Sequence, residues 1–316
     1  MLLKFNQDVR LRIGDVIVQY RLINKDTPVV ITFPPGSEWI TELETDEVLW
    51  GFDFFKQQQI NVISFFHTQQ DEYFRSVALQ HFIEQLGASL AIFPEKIGYG
   101  ISRGGFAVSL HANALGLDRA LLMMPLSTYS PLLAPWDPKV IKADKTSQYS
   151  GDNNDASGCK TPLTIIYDPL LKPDRLHMER FSGEVQRLKI SGVGHRIGRT
   201  LRDLGILKET VLDFVHGRLD LDNFPRRVRG RRTLSFYLKS LSSDPTGKLT
   251  LKRKQVIYYH KLLWKLKHIE DEPRKVATRL KDSLLKRIDE SQKFLTCSRN
   301  FFPAKAFVMT NFFVFC

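Results

Sequence analysis

Short apolar segments alternate with amphipathic segments over the first two thirds of the chain. Runs rich in β-branched and aromatic residues and bounded by Gly, Pro, Asn or Asp are typical of strands. Such runs predict a hairpin over 9–23 and strands within 28–39, 60–66, 96–101, 119–125, 161–168 and 185–192. Apolar residues at helical spacing predict helices over 71–87, 103–116 and 200–217, the first with acidic residues in its first turn. Strands that alternate with helices favour an α/β protein with a mainly parallel sheet, helices on both faces and an N-terminal hairpin.

Two stretches depart from this alternation. Residues 126–160 contain a proline cluster and the polar run SGDNNDASG without clear periodicity, which predicts a lid-like insertion over one end of the sheet. After about residue 220 the chain becomes strongly basic, and 251–269 and 272–295 have the pattern of amphipathic helices. We therefore expect an α/β domain over 1–220 and a basic helical C-terminal segment over 221–316.

The net charge of +12 is concentrated in that segment. Residues 221–300 hold 21 Lys and Arg against 8 Asp and Glu, while the rest of the chain holds 25 against 26. Basic helices with interleaved aromatic residues can contact an anionic surface, here through residues 226–295, or can pack their apolar faces on the body and expose solvated charge. Both interpretations stay open, and the segment has no specific nucleic-acid-binding motif.

Cysteine content and hydropathy bear on the compartment. The three cysteines are widely spread, which suits neither a disulfide framework nor a zinc site. The N-terminal residues lack the apolar run of a signal peptide, and no segment reaches the ~18 apolar residues of a membrane-spanning helix. The expectation is a cytoplasmic protein with no transmembrane segment.

The stretch Gly100-Ile101-Ser102-Arg103-Gly104 places one serine between two glycines at a strand-to-helix junction. A dinucleotide-binding loop fits poorly, because several strands precede the stretch and no acidic residue ends the next strand. Glycines that only permit close packing are a second interpretation. The third is a nucleophile elbow, in which Ser102 sits on a sharp turn with small residues two positions before and after it.

Later residues favour the elbow, because it requires an acid and then a histidine, each after a later strand. Asp168 and Asp174 follow the strand within 161–168, and His195 follows the strand within 185–192 in a glycine-flanked turn. We favour Asp174 as the acid and assign Asp168 to a turn or cap. His177 is expected at the surface or at a helix start.

The G-x-S-x-G turn, the later acid and the G-x-G-H turn together resemble the α/β-hydrolase family over about residues 10–217. A fainter resemblance links the chain to bacterial hydrolase-like proteins associated with surface polysaccharides. The resemblance implies a serine hydrolase acting on an ester or related acyl substrate, small or glycan-linked, without metal or organic cofactor. Two alternatives are an acyltransferase with a glycan or small-molecule acceptor and a non-catalytic protein that binds a partner through its basic segment.

The same resemblance implies a role for each site residue. Ser102 is the nucleophile, and His195 is the base that takes its proton. The backbone N–H of Arg103 binds the oxyanion, and the Arg103 side chain makes a salt bridge within the fold or meets an anionic substrate. A second oxyanion donor comes from Gly36 or Ser37 in the loop Pro-Pro-Gly-Ser-Glu, which departs from the His-Gly pattern of the family.

Overall fold

The structure is a computed structural model of the 316-residue chain. The residues that it describes are 3–36, 49–68, 73–146, 153–243, 249–267 and 274–300. None of the helices in these ranges is both long enough and apolar enough to cross a bilayer.

An eight-stranded sheet forms the centre of the described chain, in the order β1-β2-β4-β3-β5-β6-β7-β8. β1 and β2 form the predicted hairpin, and β2 also pairs antiparallel with β4. All other neighbours pair in parallel, which confirms the mainly parallel sheet. The strands are β1 Asp8–Ile13, β2 Val16–Arg21, β3 Val29–Phe33, β4 Asn61–His67, β5 Lys96–Ile101, β6 Arg119–Met123, β7 Leu163–Tyr167 and β8 Val185–Lys189.

Helices cover both faces of the sheet, as predicted. One apolar cluster joins one face to α1, α6 and α7, and a second joins the other face to α2, α3 and α5. β3 is buried along its whole length because both of its faces are covered. The helices of this part are α1 Phe52–Gln57, α2 Val77–Ser89, α3 Arg103–Leu115, α4 Pro138–Thr146, α5 Lys172–Arg180, α6 Ile197–Asp203 and α7 Leu207–Val215.

Two predicted helices were wrong in their extent. α2 begins at Val77, and no acidic residue lies in its first turn. The Ser76 hydroxyl accepts the N–H of Leu79 and caps the helix, which fixes its start. The helix predicted over 200–217 is two helices, α6 and α7, because Gly205 adopts a φ of 71° between them.

The C-terminal segment is helical where the structure describes it. Its helices are α8 Phe224–Arg227, a 3₁₀ helix Val228–Thr233, α9 Ser235–Ser242, α10 Leu251–Lys267 and α11 Arg274–Asn300. Residues from its first part belong to the same apolar cluster as α6 and α7, namely Phe224, Val228, Phe236, Tyr237 and Leu238. α10 and α11 pack on each other through Leu262, Leu284 and Ile288. The boundary at 220/221 stays a prediction.

Candidate active site

Ser102 lies directly between β5 and α3 with a φ of 55° and a ψ of −112°. A non-glycine residue with a positive φ is strained, and such strain persists only where the surrounding structure enforces it. Here the Ser102 N–H donates to the carbonyl of Met123 at 2.8 Å, and the Ser102 carbonyl accepts the N–H of Leu126 at 3.3 Å. These two hydrogen bonds, to the last residue of β6 and to the segment that follows it, hold the turn in place.

Gly100 and Gly104 lie so close to other backbone atoms that neither position has room for a side chain. A methyl group on Gly100 would collide with the carbonyl group of Gly104. A methyl group on Gly104 would collide with the backbone oxygens of Phe33 and Pro34 at the end of β3. The packing interpretation of these glycines is therefore valid, and it applies together with the strained serine between them.

His195 reaches Ser102 from the loop after β8. Its Nε2 lies 2.8 Å from the Ser102 hydroxyl oxygen, and its side chain is 22% exposed. The loop carries Gly192 and Gly194, whose φ values of 86° and 65° suit glycine. The histidine is thus partly open to solvent and in hydrogen-bond contact with the serine.

Asp174 lies in the first turn of α5 and is 4% exposed. Its Oδ1 is 2.7 Å from His195 Nδ1. An ionised carboxylate only accepts hydrogen bonds, so Nδ1 carries the proton and Nε2 is left to accept from the Ser102 hydroxyl. The structure therefore brings Ser102, His195 and Asp174 into one hydrogen-bonded chain.

Asp168 occupies the turn that directly follows β7 and is also buried. Its oxygens accept the backbone N–H groups of Gly194 at 2.6 Å and Leu170 at 2.9 Å. Burial raises the pKa of this carboxyl group, and the backbone N–H groups oppose that rise in part. Asp168 thus ties the loop before His195 to the end of β7, a contact that the sequence assigned only as a turn or cap.

Arg103 and Gly36, two of the three residues predicted to bind an oxyanion, lie in the part of the chain that the structure describes. Within the described ranges, the Arg103 N–H at the start of α3 has no hydrogen-bond acceptor. The Arg103 side chain packs against Gly36, and its guanidinium lies 4.0 Å from the ring centroid of Tyr73. No carboxylate of the described residues pairs with Arg103, so the predicted salt bridge within the fold is not found there. Ser37 lies outside the described residues.

A second serine, histidine and aspartate meet close by, and all three are buried. The Ser127 N–H donates to Nδ1 of His177 at 3.1 Å, and His177 Nε2 lies 3.0 Å from Asp137 Oδ2. His177 stands in the last turn of α5, so the expectation of a surface or helix-start position was wrong. The cluster joins the segment of 126–160 that leads into α4 to the helix that carries Asp174.

Sequence reasoning also missed Lys139, the second residue of α4. Burial lowers the pKa of this lysine, while the negative charges of Asp174 and Asp137 oppose the shift. Asp174 Oδ2 is buried and has no hydrogen-bond partner in the part of the chain that the structure describes. Lys139 thus lies within electrostatic reach of Asp174, in a segment whose sequence has no motif that signals this proximity.

Comparisons with known proteins complete the description. No protein-family model matches the chain, and no curated protein matches it. The structure is similar to the capsule O-acetyltransferase of Neisseria meningitidis serogroup A, with 12% identity, a TM-score of 0.46, and coverage of 66% of this chain and 93% of that one.

It is also similar to carboxyl esterase 2 of the mycorrhizal fungus Tuber melanosporum (14% identity, TM-score 0.45, 67% and 84% coverage). A third similar structure is brefeldin A esterase, a bacterial homologue of human hormone-sensitive lipase. Its identity is 14% and its TM-score 0.43, and the match covers 72% of this chain and 81% of that one. At 12–14% identity, the likeness to these three proteins is one of architecture alone.

Proposed function

We propose that the chain is a serine acyl hydrolase or acyltransferase that works through an ester on Ser102. One observation carries the proposal, namely the unbroken hydrogen-bonded chain from the Ser102 hydroxyl through His195 to buried Asp174. A serine hydroxyl is a weak nucleophile at neutral pH, and a histidine oriented by a carboxylate is the common means of activating it.

In the first half-reaction the Ser102 oxygen attacks the acyl carbonyl and its proton passes to His195 Nε2. The carbonyl oxygen becomes an oxyanion beside the Arg103 N–H, which has no other acceptor among the described residues. When the intermediate collapses, the bond to the leaving alcohol breaks and His195 returns the proton to that alcohol. Asp174 holds the imidazole and stabilises its charged form.

In the second half-reaction an acceptor hydroxyl gives its proton to His195 and attacks the acyl group. The bond to Ser102 then breaks, and the serine oxygen recovers the proton. Water as acceptor makes the protein an esterase, and an alcohol such as a glycan hydroxyl makes it an acyltransferase. The open side of His195 admits either acceptor.

The decisive experiment is labelling with a fluorophosphonate probe, followed by intact-mass measurement. We expect one adduct on the wild type and none on Ser102→Ala, and His195→Ala should also fail to react. Ser127→Ala is a matched control, since Ser127 belongs to the other Ser–His–Asp cluster but is fully buried, so this variant should label like the wild type.

Hydrolysis of short p-nitrophenyl esters should be lost in Ser102→Ala and His195→Ala and kept in Ser127→Ala. Formation of a new ester when an alcohol is added would show that the protein transfers the acyl group as well as hydrolysing it. A folded wild type that neither labels nor turns over esters and thioesters would contradict the proposal. It would favour the alternative, in which the protein is non-catalytic and binds a partner through its basic segment.

A further inference from the structure

A cavity of about 460 Å³ lies on the face of the sheet that α1, α6 and α7 cover. Its volume falls within the ~300–1,000 Å³ that small-molecule sites occupy. The lining includes Ile101, the residue before Ser102. No residue of α3 or of the Ser127–His177–Asp137 cluster lines the cavity. The mechanism proposed above makes no use of this space.

The walls of the cavity are mainly apolar and aromatic. Trp50 stacks on Tyr99 with ring centroids 5.0 Å apart, and Phe54, Leu207 and Val211 complete the apolar lining. Such walls favour an alkyl or aryl body, because each Å² of apolar surface removed from water contributes ~25 cal/mol.

One polar group is buried within these walls. Tyr99 is 5% exposed, and in the part of the chain that the structure describes its hydroxyl has no hydrogen-bond partner. Burial raises the pKa of this hydroxyl well above its ordinary value, so it stays protonated and available as a donor. A hydroxyl that lines a mainly apolar cavity can donate a hydrogen bond to a ligand oxygen and so fix the orientation of the ligand.

Two cationic side chains also line the cavity. They are Arg202 of α6 and Lys208 of α7, and both are exposed. No carboxylate of the described residues forms an ion pair with either one. The Arg202 charge lowers the pKa of the Tyr99 hydroxyl against the larger effect of burial, and both residues line the cavity.

We propose that this cavity binds a medium-chain fatty-acid anion, with its alkyl chain between Trp50 and Val211 and its carboxylate between the Tyr99 hydroxyl and Arg202. A mainly apolar cavity lined by one neutral donor, Tyr99, and by the cations Arg202 and Lys208 is complementary to a carboxylate on an alkyl body. Ser102, His195 and Asp174 are not among the lining residues, so binding there does not depend on acyl transfer.

Calorimetric titration with decanoate and with decanol tests the proposal. We expect one decanoate site on the wild type and the same affinity in Ser102→Ala. Leu207→Trp, at a half-exposed lining position, should fill the space and weaken both ligands by roughly tenfold or more. Arg202→Met and Tyr99→Phe should each weaken decanoate by about fivefold or more and leave decanol within about twofold.

Arg199→Met is the matched control, because Arg199 lies on the same helix but does not line the cavity. Thermal melting of every variant shows that it is folded. The proposal is overturned if folded wild type binds no decanoate, or if Leu207→Trp and Arg202→Met bind it as the wild type does. Since binding needs no turnover, a protein inactive on esters leaves this test intact.

Discussion

Two buried aspartates differ in role because their neighbours differ. Asp174 faces an imidazole nitrogen, whereas Asp168 faces backbone N–H groups. Sequence order and glycine spacing predicted that Ser102 and His195 belong together, and the structure places His195 Nε2 2.8 Å from the Ser102 hydroxyl oxygen. Order and spacing alone did not separate the two acids, since both follow β7, and Asp174 was favoured because the family usually places its acid a few residues beyond the strand. The structure places Asp174 beside His195.

Asparagine substitutions separate these roles. Asp174→Asn keeps the shape of the side chain but disturbs the His195 tautomer, so we expect kcat to fall on the order of 10⁴-fold with melting nearly unchanged. Asp168→Asn places an amide against backbone donors and should cost about 1–3 kcal/mol of stability. Its effect on kcat should stay within about 10²-fold, as for a small displacement of His195.

Ester turnover and thermal melting on the same preparations check both expectations. If Asp168→Asn lost the larger part of kcat at unchanged stability, Asp168 would be the triad acid.

Arg103 allows its backbone to be separated from its side chain. The proposed oxyanion donor is the N–H, which Arg103→Gln retains, while the guanidinium stacked on Tyr73 is lost. Because the backbone donor is retained, turnover of neutral p-nitrophenyl acetate should stay within about threefold of the wild type. Loss of an oxyanion donor would instead cost about 2.7–4 kcal/mol of transition-state stabilisation. A loss of 10²-fold or more on this neutral ester, in a folded variant, would give the side chain a direct part in the chemistry.

At the scale of elements, the segment before α4 is tied to α5 by buried polar contacts. Asp137 accepts the Lys139 N–H at 2.8 Å with one oxygen and faces His177 with the other. No sequence pattern indicated this connection, because His177 lies 40 residues after Asp137 in the chain. The helix that holds Asp174 is therefore braced by a segment that the sequence identified only as an insertion.

The charge of Asp137 should make this brace sensitive to acid. Burial raises the pKa of Asp137, but the hydrogen bonds from His177 and from the Lys139 N–H outweigh it and hold the pKa below its ordinary value of 3.8. The ionised carboxylate thus stabilises the fold above pH 3.8, and this stability is lost as the pH falls through the lowered pKa.

Asp137→Asn should accordingly reduce the free energy of unfolding by about 1–3 kcal/mol at pH 7, and the deficit should shrink toward pH 3. Urea unfolding at both pH values measures it. Asp144→Asn, on the exposed side of the same helix, should have little effect at either pH. A deficit that stayed constant or grew in acid would contradict the assigned role of the charge.

At the scale of the whole molecule, the basic C-terminal segment has two parts that differ in how they pack against the α/β domain. Five apolar residues of 224–238 lie in the core cluster of α6 and α7, whereas Leu262 of α10 packs with Leu284 and Ile288 of α11. Composition predicted a single basic appendage from residue 221. Charge density does not show which apolar residues of that appendage pack into the core of the α/β domain. Trp264 of α10 adds one link, donating its indole N–H to the Thr233 carbonyl at 2.8 Å.

Two truncations should therefore behave differently. A chain ending at residue 243 keeps the core cluster, and we expect it to fold and to label with fluorophosphonate. A chain ending at residue 217 loses five buried apolar residues at ~1.5–3 kcal/mol each, which matches the ~5–15 kcal/mol total stability of a typical protein. It should be unfolded or aggregated by circular dichroism and gel filtration, and a stable, labelled 1–217 chain would contradict this.

The folded 1–243 chain then isolates the charge of the last two helices. α10 carries six Lys and Arg and no acid, and α11 carries eight against three acids. Leu262, Leu284 and Ile288 are buried between the two helices, so we expect charge to supply the larger part of the attraction to anionic vesicles. Leu251, Tyr258, Leu280 and Leu285 are exposed and add a smaller apolar part. We expect the full chain to bind such vesicles at low salt and to release them near 0.5 M salt, where the Debye length falls to about 4–5 Å. The 1–243 chain should not bind. Binding that resists salt would mean that α10 and α11 separate and insert their apolar faces into the lipid.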